Sequence, residues 1–99
     1  MTQEAFLTQL GYSVTDSLLR QLERVEGNTP KFDMISNRII ALNDNLKHYG
    51  SFVALSNSYD FLKIKNQSSG ELLTQVNEII NSWAKKYKIE LEKVQGKET

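Results

Sequence analysis

Residues 51–67 read SFVALSNSYDFLKIKNQ, and the fold class turns on them. Two β-prone runs, Phe52-Val53-Ala54-Leu55 and Phe61-Leu62-Lys63-Ile64-Lys65, flank Ser56-Asn57-Ser58-Tyr59-Asp60, whose short polar side chains favour turns. Read that way, the stretch is a β-hairpin. The same residues suit a helix, because Phe52, Leu55, Tyr59 and Leu62 fall on one helical face, leaving Val53, Phe61 and Ile64 elsewhere. A two-stranded hairpin alone is marginal in water, and long helices on either side offer no strand edge to extend it. The balance favours a short helix or irregular turn and helix, with the hairpin as the alternative.

Both flanks are helical. Beyond the stretch, Leu72, Leu73, Val76, Ile79, Ile80, Trp83, Tyr87, Leu91 and Val94 recur at three- and four-residue steps, with Gln75, Asn77, Glu78, Lys85 and Lys88 off the stripe. Ser68-x-x-Glu71 has the form of a capping box and Gly96 follows the last periodic position, which predicts a helix over about 69–95 and a frayed tail at 96–99. Before the stretch, Phe32, Ile35, Ile39, Leu42, Leu46 and Tyr49 step by 3, 4, 3, 4 and 3, a narrow seam closed by Gly50. Thr29 as N-cap and Pro30 at the first helical position would open this helix, over about 30–49.

The N-terminal segment reads as a helix over about 2–26. Phe6, Leu7 and Leu10 make one apolar turn, then Gly11 intervenes before Val14, Leu18, Leu22 and Val25. Ser13 and Thr15 each offer a cap for a second start, yet an internal Gly costs only about 1 kcal/mol relative to Ala. Continuous and broken helices both fit. The resulting expectation is an all-α or mostly α chain: one domain over 1–99, an elongated three-helix bundle or helical hairpin. A helix of about 25 residues is about 37 Å long, against a radius of gyration of about 13 Å for a compact chain of this size. Its overhang would pack along an elongated molecule or against another subunit.

Composition narrows the functions. Twelve Lys and Arg balance twelve Asp and Glu, so no net field draws in nucleic acid, anionic lipid or acidic substrates. Cysteine is absent, which removes disulfides, thiolate metal sites and a Cys nucleophile. The N-terminus, MTQEAFLTQL, lacks the basic and apolar parts of a signal peptide, and no apolar run nears the ~20 residues of a spanning helix. A cytoplasmic protein without membrane contact is the expectation.

Little chemistry can be assembled. His48 is the lone histidine, with Asp44 one turn earlier; a metal site needs three or four ligands, and a helix-terminal cation beside a carboxylate is the simpler reading. Glu90 alone falls within an apolar stripe, and nothing converges on it. No nucleophile elbow, P-loop or dinucleotide fingerprint is present. The expectation is a non-enzyme with no cofactor and no metal.

Two readings of function remain. The favoured one is a small helical protein working through protein–protein contact, as adaptor, chaperone or regulator, with a protein partner not identified by the sequence and self-association as a homodimer. Met34 and Ile40 lie off their helix's stripe, and Tyr49 and Val53 end the seam; these four are the expected contact positions. The alternative is a nucleic-acid-binding regulator. It would use a helix-turn-helix-like segment over 15–49, turning at Gly27-Asn28-Thr29 and presenting Arg38, or a basic group of Lys63, Lys65, Lys85, Lys86 and Lys88 beside Phe61, Trp83 and Tyr87. Asp33 and Asp44 on the would-be recognition face oppose phosphate, which puts nucleic acid second.

Overall fold

The computed structural model describes residues 1–56, 59–67 and 69–89. The stretch at 51–67 is a hairpin. Strands β1 (Phe52–Leu55) and β2 (Leu62–Lys65) pair antiparallel, with Phe52 opposite Lys65, Val53 opposite Ile64, Ala54 opposite Lys63 and Leu55 opposite Leu62. The fold is therefore mixed: the described residues form four α-helices and a two-stranded sheet, in place of the expected all-α three-helix bundle.

The physical reason lies at the outer edge of β1. The backbone N–H of Val53 donates to Asn43 Oδ1 at 2.7 Å, and that of Leu55 donates to the Tyr12 hydroxyl at 3.0 Å. Helices offer a strand no edge, but here they offer side-chain acceptors at the alternate positions where a third strand's carbonyls would lie. With Val53 and Leu55 turned outward, alternation makes Phe52–Lys65 and Ala54–Lys63 the hydrogen-bonded pairs, and the Ser56 N–H to Phe61 oxygen bond (3.0 Å) continues the series. The far end is held by the helix that spans Asp16–Asn28. Gln21 Nε2 donates to the Ser56 carbonyl at 2.9 Å, Asn28 Nδ2 to the Asp60 carbonyl at 3.2 Å, and Arg24 Nε pairs with the Asp60 carboxylate at 3.1 Å.

The first predicted helix is two. Helix α1 (Gln3–Gln9) ends at Gly11, whose φ of +97° is a conformation glycine adopts without strain. The Gly11 N–H donates to the Thr8 oxygen and the Tyr12 N–H to the Leu7 oxygen, both at 3.0 Å, a Schellman closure. Helix α2 (Asp16–Asn28) restarts with Thr15 as cap, its hydroxyl accepting the Leu18 N–H at 3.1 Å. The break frees Tyr12 to turn its phenol onto β1.

Helix α3 (Phe32–Leu46) starts two residues later than its expected first position at Pro30. The Thr29 hydroxyl donates to the Val25 carbonyl at 2.8 Å and so closes α2, and Lys31, left-handed at φ 59°, leads into Phe32. A 3-10 turn (Lys47–Tyr49) and a second Schellman closure at Gly50 (φ +79°) then direct the chain into β1.

Helix α4 (Glu71–Tyr87) is shorter than the expected 69–95. Lys88 adopts φ 56°, and the Ile89 N–H donates to the Ala84 oxygen at 2.8 Å, a third Schellman closure that folds Ile89 back onto the core. The helix thus stops before the periodic pattern does. Its N-cap is Gly70, with no side-chain cap bond. The other half of the expected capping box, Ser68, lies outside the described residues, as do Glu90, Leu91, Val94 and the 96–99 tail. At 17 residues α4 is about 26 Å long, well within the molecule's 39 Å long axis. Overhang no longer argues for a second subunit.

One cluster of buried apolar residues is fed by the four helices and β1, and half-buried Tyr49, Leu62 and Ile64 from the 3-10 turn and β2 pack against it. Phe6, Leu7, Leu22, Val25, Leu46 and Val76 are essentially inaccessible, and Phe6 meets Phe32 edge-to-face at 5.1 Å.

Candidate interaction surface

Helix α4 is the least buried of the four α-helices among the described residues. Only Val76 and Ala84 are buried on it; Ile79, Ile80, Trp83 and Tyr87 are half-buried. In its first turn Leu72 is 48% exposed and Leu73 37%. Both lie on the stripe that the sequence assigns to the core, so their exposure means the turn reaches past the residues that could cover it.

The neighbour along α4 is α3. Trp83 Nε1 donates to the Arg38 carbonyl at 3.1 Å, and the Arg38 guanidinium stands 4.4 Å over the Tyr87 ring. Arg38, midway along α3, thus meets the last turns of α4. Between the two helices opens a groove of about 750 Å³ whose walls include Arg38, Ala41 and Asn45 from α3 and Glu78, Ile79 and Trp83 from α4. At one end a cation–aromatic group gathers, because the Lys86 ammonium also stands 5.5 Å from the Tyr87 ring and Trp83 meets that ring edge-to-face at 5.9 Å.

The structure divides the four expected contact residues. Met34 is 65% exposed, and Tyr49 is half-buried at the groove wall. Ile40 and Val53 are in the core, at 6% and 3% exposure, and present no contact surface. Ile40 is buried although it lies off the heptad seam, because α3 is covered over a wider arc than two columns, with Ser36 and Asn43 also enclosed.

The nucleic-acid candidates divide as well. Arg38 joins Lys86 at Tyr87, and Lys85 and Lys88 are exposed at the same end of α4. Lys63 and Lys65 belong to β2, across from Ala54 and Phe52. In the helix-turn-helix-like segment, α4 runs beside α3 along Arg38, Ala41 and Asn45, and occupies part of the face a DNA groove would need.

His48 is exposed in the 3-10 turn, and the Asp44 carboxylate lies 4.0 Å from the Lys47 ammonium. Among the described residues no three His, Asp or Glu side chains cluster as metal ligands would, and no helix is long and apolar enough to cross a membrane. Sequence reasoning did not anticipate Tyr12 and Asn43 as hairpin acceptors. Asn43 carried one signal, a polar residue bordering an apolar seam. The chain matches no known family model, no curated protein and no solved structure.

Proposed function

We propose that this is a small non-catalytic protein that acts through protein–protein contact, as an adaptor, chaperone or regulator, with α4 and the α3–α4 groove as its contact surface. One observation carries the reading: α4 leaves Leu72 and Leu73 open and Ile79, Ile80 and Trp83 only half covered. Contiguous apolar surface bordered by polar groups is what a partner's helix or a second subunit occupies. Self-association belongs to the same reading. The experiment is in-cell photo-crosslinking with a benzophenone amino acid at Leu72, and at exposed Glu23 on α2 as control. Protein adducts at position 72 and not at 23 support the reading; equal or absent adducts refute it.

A second reading, nucleic-acid binding, is favoured by the group of Arg38, Lys85, Lys86 and Lys88 around Tyr87 and Trp83. Glu78 in the same groove and the balanced net charge weigh against it. Retention on single-stranded DNA or RNA at low salt, lost as salt rises, would support it; no retention at low salt removes it.

A further inference from the structure

We infer that the chain pairs with a second copy of itself through α4, the two helices running antiparallel about a two-fold axis. This rests on the reading above that the open side of α4 is a contact surface, and it names the partner and the geometry.

The pattern along α4 is self-complementary in one direction only. Glu71, Glu78 and Lys85 recur every seven residues and form one exposed column. The adjoining column is Leu72, Ile79 and the aliphatic stem of Lys86, with Ile79 lining the groove. A parallel pair would set acid against acid and lysine against lysine. An antiparallel pair sets Glu71 of each copy against Lys85 of the other, so the two-fold makes the contact twice. Ile79 then meets its own counterpart at the axis, and Leu72 lies along the Lys86 stem of the other copy.

The helix dipole by itself favours acid at the start and base at the end of a helix. It gives no reason for an apolar column beside those charges with its first member half exposed. Pairing accounts for both. One contact opposes it: Glu78 meets the Glu78 of the other copy at the solvent rim, so removing that charge strengthens the pair. The strip is about 26 Å long and one helix wide, smaller than a standard interface of about 800 Å² per partner. Association is accordingly weak and concentration-dependent.

The test is sedimentation equilibrium of the full chain from about 1 µM to about 500 µM, with circular dichroism to monitor the fold. Dimer is expected at the upper end. Glu71→Lys and Lys85→Glu should each weaken it by about tenfold, since the two-fold doubles every substitution. The doubly swapped chain should regain association although it carries both unfavourable dipole interactions, which a stability effect would not produce. Glu78→Gln should tighten the dimer. A monomer throughout, or a dimer indifferent to these substitutions, overturns the inference. A monomer that still cross-links to another protein through Leu72 sinks the pairing and leaves the interaction reading standing; a monomer without such cross-links sinks both.

Discussion

Asn43 Oδ1 accepts the backbone N–H of Val53 at 2.7 Å, in a site where both residues are buried. A helix side chain there does the work of a neighbouring strand. The Asn43 Nδ2 is buried with no hydrogen-bond partner among the described residues, so the side chain serves this fold as an acceptor. Asn43→Ala should therefore cost about 2–4 kcal/mol, the sum of an unsatisfied strand N–H and a cavity. Urea denaturation reads the loss, and amide exchange at Val53 should speed up beyond the global change.

Tyr12 makes the companion contact, to Leu55 at 3.0 Å. Tyr12→Phe keeps the ring and removes the acceptor. We expect a loss of about 1–2 kcal/mol, with the Leu55 amide losing more exchange protection than the amides of α3. Equal protection at Leu55 in both chains would show that the hydroxyl contributes nothing to the strand.

Gly11 holds φ +97° with open space around the position of a Cβ, so any penalty there comes from the backbone alone. Gly11→Ala should cost about 1–2 kcal/mol through left-handed strain and lower the melting temperature by several degrees. The continuous-helix alternative makes the opposite prediction: Ala would then stabilise.

The two kinds of apolar residue on α4 should separate cleanly. Val76 is fully buried, and Val76→Ala should cost about 2 kcal/mol. Leu72→Gln with Leu73→Gln should leave stability within about 0.5 kcal/mol while reducing association. A large stability loss from the double variant would place those leucines in the core.

Much of the helical content was legible, because periodicity reports which face is apolar. The seam from Phe32 to Leu46 and the stripe from Val76 to Tyr87 form α3 and α4. Helix ends were read less well. Lys88 is a poor candidate for a left-handed stop, yet it is where α4 closes, since a Schellman turn there returns Ile89 to the core. Thr29 looked like a cap for the following helix and instead closes the preceding one through Val25. The hairpin was misjudged for a different reason. Local pattern left strand and helix nearly balanced at 52–65, and the deciding bonds come from residues 10 and 43 positions away in sequence. In the candidate surface, the apolar stripe of α4 was visible, but which of its members stay uncovered depends on where α3 lies.

Tyr12 and Asn43 both precede β1 in the chain. During synthesis the acceptors leave the ribosome before the strand that needs them, and segments made first are free to fold first. The hairpin then arrives at a template already laid down. Its most vulnerable edge is covered on arrival and is not left open to other nascent chains, a protection that a circular permutant starting at Ser51 would forfeit.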